Sequence, residues 1–416
     1  VTAAVGIASV QKSRDLIEEL ASRAGDRDSV RRIGIGRFVK AAAGYLALIV
    51  VGAAAGIAMI EFVVWLAPGI LPPGVRKLDQ IHRLDLHFFN NWAPDEYLGY
   101  RPRPDSELRE VIEDREFRQR FVRLDSTDIG VRDMGIPLEP ADGIVVGDSF
   151  TFCDGVTMEE CWVRLLSDET GRGFINFGVP GYSAVQETRV MARYGIPLHP
   201  RVILSAIFLN DFTENLQFEE WLREGRGNYL LSIRSRRLGP LLSRCVDFLE
   251  QHSVVYRLFR RTVAAEHGIR RWRGRNGEIG FSPGGWWRGI VDIDARDQRW
   301  QVMRETLLEQ QRLATSIHAQ LVVLLMPFKE QAYWHIVKDF AACRDHCDPD
   351  RPYRLVAELC QAEHIPVLDL TETFRRHARE NEVLYFNDDA HWNAAGNALA
   401  ARTVAAFLRD RGLVPQ

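Results

Sequence analysis

Cysteine is scarce in this sequence, with six in 416 residues and no C-x-x-C pair, which excludes a disulfide-built scaffold, a zinc ribbon and thioredoxin chemistry. A surplus of either charge is missing as well. With 53 basic against 56 acidic residues the net charge is -3, so the chain as a whole has no electrostatic pull toward nucleic acid or anionic lipid. No phosphate-binding glycine loop and no complete metal-ligand constellation occurs, so no cofactor is expected. Cys343 and Cys347 flank His346 without a fourth metal ligand; in an oxidising setting they are spaced to pair across one turn, leaving Cys153, Cys161, Cys245 and Cys360 unassigned. What is present is a globular balance, 46% hydrophobic and 26% charged, in a chain long enough for about two to three domains.

One long apolar run stands out. Ala41 to Ile60 carries no charge, and after Glu61 the run resumes through Phe62 to Leu66, long enough to cross a bilayer core. It is too long and too far from the start for a cleaved signal peptide, and no polar stripe marks it as a buried helix. A transmembrane helix is therefore expected over residues 39–67. Arg27, Arg31, Arg32, Arg37 and Lys40 precede the apolar run and only Arg76 and Lys77 follow it closely, so residues 1–38 are expected to be a cytoplasmic tail and the rest exported to the periplasm or the exterior.

Residues 68–140 read as an irregular polar connector. Beyond them, short apolar runs at Ile144–Val146, Phe174–Phe177, Val202–Phe208, Leu321–Met326 and Val367–Leu370 alternate with helical periodicity. Continuous rather than alternating apolar strands are covered on both faces, which describes an α/β domain over 141–416 with a parallel sheet between helix layers. A long interruption over 212–297 reads as a helical insertion.

Reactive groups of such sheets collect at the carboxyl ends of the strands. The first strand ends in Gly147-Asp148-Ser149, the second runs into Gly181, the third into Asn210-Asp211, and Asp388, Asp389 and His391 precede the final helix. A serine hydroxyl becomes nucleophilic when an imidazole removes its proton and a carboxylate fixes the imidazole tautomer. The Ser149 and Gly181 backbone N–H groups and the Asn210 amide are candidate donors to the oxyanion that would form. His199, His318, His364 and His377 read as surface or packing residues, and Cys153 as lining the crevice.

These blocks, G-D-S at 147–149, glycine at 181, N-D at 210–211 and D-x-x-H at 388–391, resemble those of the SGNH (GDSL) hydrolase superfamily over about Gly143 to Leu413, the insertion excepted. The resemblance implies a three-layer flavodoxin-like fold around a parallel five-stranded sheet, hydrolysing or transferring acyl esters. Ser149 would be the nucleophile, His391 the base, and Ser149, Gly181 and Asn210 the oxyanion donors. The acid falls at Asp388 by the general family spacing. It falls at Asp389 by the D-x-H-W string of the branch that acetylates polysaccharide, and this sequence satisfies both. Absence of G-x-S-x-G around Ser149 argues against an α/β-hydrolase elbow.

The neutral total conceals a basic segment. Arg223 to Arg288 holds fourteen arginines and no lysine against five acids, with apolar residues and Trp272, Trp286 and Trp287 interspersed. It reads as a lid against anionic headgroups, a wall guiding an anionic polysaccharide, or a helical cap with solvated arginines. The whole points to a membrane-anchored serine esterase or O-acyltransferase acting on acyl esters of envelope or exopolysaccharide carbohydrate, or on small esters. The competing reading is a non-catalytic carbohydrate-binding or assembly factor working with polysaccharide-assembly proteins. Nucleic acid is not an expected partner.

Overall fold

The computed structural model describes residues 51–64, 91–224, 253–256, 269–281, 285–341, 347–387 and 389–415, apart from residues 113, 114, 126, 139 and 140, together with isolated positions elsewhere. It divides into two units, Val1–Arg76 with Ser253–Val255, and Lys77–His252 with Tyr256–Gln416.

In the first unit residues 51–64 are helical, with Val51, Met59 and Phe62 among the apolar side chains left exposed. Among the described residues no helix is long and apolar enough to cross a membrane; the remainder of the expected 39–67 span lies largely outside them. The Glu61 carboxylate accepts from Ser253 Oγ at 2.6 Å and from the Val254 and Val255 backbone N–H groups at 2.9 and 2.8 Å.

The second unit is built on a parallel five-stranded sheet whose strands match the apolar runs of the sequence. Numbering from the first strand of the unit, these are β6 (Gly143–Gly147), β7 (Phe174–Gly178), β8 (Val202–Ile207), β11 (Gln320–Leu325) and β12 (Val367–Asp369), in the order β12-β11-β8-β6-β7. β6, β7 and β8 are buried at every position, as two-sided coverage requires. The chain steps one way from β6 to β7, then crosses back to β8 and onward. With right-handed crossovers, that reversal puts helices on opposite faces and opens a switch point beside β6. The helices that matter are α1 (Ser149–Phe152), α2 (Trp162–Thr170), α3 (Ala184–Val190), α4 (Asp211–Arg223), α5 (Gln298–Ser316) and α6 (Ala394–Asp410). α6 packs on α2, and α3, α4 and α5 pack together. A capping box opens α3: Ser183 and Gln186 each accept from the other's backbone N–H.

Two sequence expectations are corrected. From residue 91, the supposed irregular connector carries two antiparallel sheets, β1 (Trp92–Asp95) with β2 (Gly99–Pro102), and β3 (Ser106–Ile112), β4 (Arg115–Arg123) and β5 (Gly130–Arg132). Phe117, Gln119 and Phe121 of β4 are buried while Arg118 and Arg120 are exposed, a two-residue period hidden by its arginine content. The insertion is not helical throughout. It begins with α4, but Arg270–Arg273 and Glu278–Phe281 form an antiparallel hairpin, β9 and β10, around Asn276-Gly277. Arg270, Arg271 and Arg273 are exposed, while most of 225–252 lies outside the described residues.

Candidate active site

Ser149 follows β6 directly and opens α1, whose N-cap Asp148 accepts from the Phe150 N–H at 2.9 Å. β7 and β8 end level with β6, Gly147 pairing with Gly178 on one side and Ala206 on the other. The loops carrying Gly181 and Asn210 therefore start beside the serine. His391 comes from the loop before α6. Trp392 is buried there against Phe374 and meets Phe150 edge-on, and Asn393 caps α6 while donating to the Val383 and Tyr385 carbonyls.

The reacting groups form one chain of hydrogen bonds. His391 Nε2 lies 2.7 Å from Ser149 Oγ, and His391 Nδ1 lies 2.6 Å from Asp389 Oδ1, which also accepts the His391 backbone N–H at 2.8 Å. The carboxylate holds the proton on Nδ1 and leaves Nε2 to accept from the hydroxyl. Asp389 thus occupies the orienting position, and Asp388 lies outside the described residues.

Gly181 sits at φ +74°, a conformation that favours glycine, and a Cβ there would come 3.0 Å from the Tyr100 hydroxyl. That hydroxyl donates to the Pro180 carbonyl at 2.7 Å, so β2 braces the loop. Asn210 precedes α4, its Nδ2 donating to Glu214 Oε2 at 2.9 Å and its amide facing Asp148. One amide N–H is thus held by Glu214. The amide has a second.

Three features had no local mark in the sequence. The buried Lys329 Nζ donates to the carbonyls of Phe386, Asn387 and Asp389, pinning the loop that carries the imidazole. Arg132, also buried, donates to the carbonyls of Phe152, Cys153 and Val156, and its guanidinium lies over the Phe152 ring. The turn it clamps is closed by a Cys153–Cys161 disulfide, so Cys153 is a structural half-cystine and not a thiol lining the crevice. Cys347 is also disulfide-bonded, while Cys343 lies outside the described residues. Cys360 is free and buried.

The clamped turn delivers the third feature, Asp154, whose Oδ2 lies 3.8 Å from His391 Nε2. Burial raises Asp154 to about 7, against the pull of His391, and burial raises Asp148 to about 6. For His391 burial alone would lower the pKa. The charge and hydrogen bond of Asp389, then the charges of Asp154 and Asp148, outweigh it and raise the imidazole to about 10. For Asp389, burial is outweighed by His391 and Lys329, which bring it down to about 2.

A switch-point serine in contact with an imidazole held by a carboxylate, on a parallel sheet with helices on both faces, defines an SGNH-type serine enzyme of the acyl-ester hydrolase or transferase class. Residues 293–416 match the family model described as SGNH hydrolase-like domain, acetyltransferase AlgX, in keeping with the SGNH resemblance of the four sequence blocks. The matched stretch includes Asp389, His391 and Trp392 but not Ser149. Among solved structures, the chain resembles a putative lipolytic protein of the G-D-S-L family from Desulfitobacterium hafniense DCB-2 (10% identity, 64% of this chain and 98% of that one, TM-score 0.37). It also resembles the acetyl xylan esterase AlAXEase (11%, 65% and 98%, 0.35) and a lipase/acylhydrolase from Enterococcus faecalis (12%, 65% and 96%, 0.35). At that distance none of their activities transfers to this chain. No curated protein sequence matches it.

Proposed function

We propose that the protein is a membrane-anchored esterase or O-acyltransferase that cleaves or transfers acyl groups, acetyl foremost, on carbohydrate. The observation that carries the reading is the unbroken Ser149–His391–Asp389 hydrogen-bond chain at the strand ends. Ser149 Oγ attacks the ester carbonyl carbon while His391 Nε2 takes its proton. The Ser149 and Gly181 N–H groups and the Asn210 amide receive the oxyanion. As the C–O bond to the leaving alkoxide breaks, Nε2 returns the proton to it, leaving an acyl-serine that water or a sugar hydroxyl attacks through the same imidazole. The D-x-H-W string and the AlgX acetyltransferase family description support acetyl as the acyl group and a sugar as its carrier. The exposed apolar helix at 51–64 supports the anchor, and disulfide-bonded Cys153, Cys161 and Cys347 support an oxidising compartment for the catalytic unit.

The test is release of acetate by the full chain from 4-nitrophenyl acetate and from acetylated oligosaccharide, with unacetylated oligosaccharide supplied as acceptor in a parallel reaction. Turnover is expected, and the share of acetyl reaching sugar rather than water distinguishes transferase from esterase. A folded chain that turns over neither substrate would return the weight to a non-catalytic carbohydrate-binding or assembly factor.

Two further outcomes follow from the site. Asn210→Ala should lower kcat on the small ester by on the order of 10²-fold, the usual cost of one oxyanion donor; a near-wild-type rate rejects that role. Because His391 must be neutral to act as base and its pKa is raised, the acid limb of kcat/KM should lie above the ordinary histidine range. Asp154→Asn removes one of the charges holding the imidazolium, so the limb should move down by about one unit. Asp389, Asp148, Arg132 and Lys329 remain around the site, and an unmoved limb would mean that they alone set it.

A further inference from the structure

Aromatic rings lead outward from the reacting groups. The ring of Phe150, the residue after Ser149, lies 5.0 Å from the His391 imidazole and 4.1 Å from Phe208, and Phe208 lies 5.6 Å from Trp286, centroid to centroid. Trp286 is where this series reaches solvent. It is 47% exposed, and among the described residues of the second unit the other exposed large apolar side chains are Leu249 and Ile269. Leaving that much indole in water forgoes the stabilisation that burial of a large apolar side chain supplies.

Its exposure does not come from a loosely held chain. The next residue, Trp287, is fully buried, stacked on Phe328 at 5.8 Å and edge-on to Trp334 at 5.9 Å. Residue 285 must be small to admit it: a Cβ on Gly285 would come within 2.3 Å of the Trp287 indole nitrogen. Arg299 donates to the Gly289 carbonyl at 2.6 Å and fixes the far end of the turn. One tryptophan anchors the turn, and its neighbour is held out beside the crevice.

We propose that Trp286 is a stacking platform for a sugar ring of the substrate, adjacent to the ring that bears the ester; the inference rests on the carbohydrate reading above. A pyranose shows a face of C–H groups that matches the electron-rich face of an indole, while its hydroxyl rim stays hydrated. Two rings, Phe150 and Phe208, stand between Trp286 and the imidazole, which leaves the esterified ring over Ser149 and brings the next ring over the indole. A small acetyl ester has no second ring to place there. The platform therefore contributes to binding of oligomeric substrate and little to the chemical step.

The test compares the full-length wild type, Trp286→Ala and Trp286→Phe on 4-nitrophenyl acetate and on partially acetylated gluco-, manno- and uronate oligosaccharides. Trp286→Ala should raise KM for the oligosaccharide esters about tenfold, the size of one aromatic stacking contact, with a much smaller change in kcat. The small ester should feel far less of the loss, and Trp286→Phe should restore much of it. Equal losses on both substrates would make Trp286 a structural residue and overturn the platform. So would an unchanged KM for oligosaccharide, including the case where Trp286→Ala instead weakens binding to vesicles of anionic phospholipid, which would assign the indole to a lipid surface. A wild type that cleaves the small ester but no oligosaccharide ester overturns the carbohydrate reading itself and the platform with it.

Discussion

Ser149→Ala should leave the full chain folded and lower ester turnover by on the order of 10⁴-fold or more. The size follows from the geometry at His391 Nε2. It faces the Ser149 hydroxyl at 2.7 Å and the Asp154 carboxylate at 3.8 Å, and among the described residues no second hydroxyl stands ready to replace the first. Water attacking directly would still feel the oxyanion donors, which accounts for a residue of rate and for no more than that. The measurement is initial rate on 4-nitrophenyl acetate, paired with a fluorophosphonate probe whose adduct is located by mass spectrometry. Labelling is expected at Ser149 in the wild type and at no residue in Ser149→Ala or His391→Ala. A variant that keeps its turnover, or a wild-type adduct on another residue, removes Ser149 from the role of nucleophile.

The second large effect belongs to Asp389. Its Oδ1 accepts from both Nδ1 and the backbone N–H of His391, and it is ionised from about pH 2 upward. An asparagine there can turn its NH₂ toward Nδ1, which then becomes the acceptor and moves the ring proton to Nε2. In that tautomer Nε2 cannot take the proton of Ser149, so kcat for Asp389→Asn should fall on the order of 10³- to 10⁴-fold with little change in KM. Asp388→Asn should fall only a few-fold. The reverse ranking of the two variants would transfer the orienting role to Asp388.

The parallel sheet was legible because each of its strands is an apolar run bounded by turn residues, and the reactive residues follow three of those runs directly. The choice between Asp388 and Asp389 was not, because two motif spacings overlap at that point and only the position of Nδ1 separates them. Asp154, Lys329 and Arg132 were beyond reach for another reason. Each acts on a segment far away in sequence or on a backbone carbonyl, and nothing in the residue's own neighbourhood records that. The β4 strand was missed because its buried face contains Gln119 between two phenylalanines and its open face is arginine. The β9–β10 hairpin carried a usable mark in Asn276-Gly277, which the abundance of arginine and tryptophan around it obscured.

The Glu61 carboxylate has a bearing on how the molecule can be cut. Residues 253–255 belong to the same unit as the N-terminal helix, although nearly two hundred residues of chain lie between them and Glu61. The helix at 51–64 is consequently a structural neighbour of residues 253–255. A truncation that starts near Leu71 deletes the acceptor for one hydroxyl and two backbone N–H groups, and Glu61→Gln in the intact chain is the milder way to ask what that loss does.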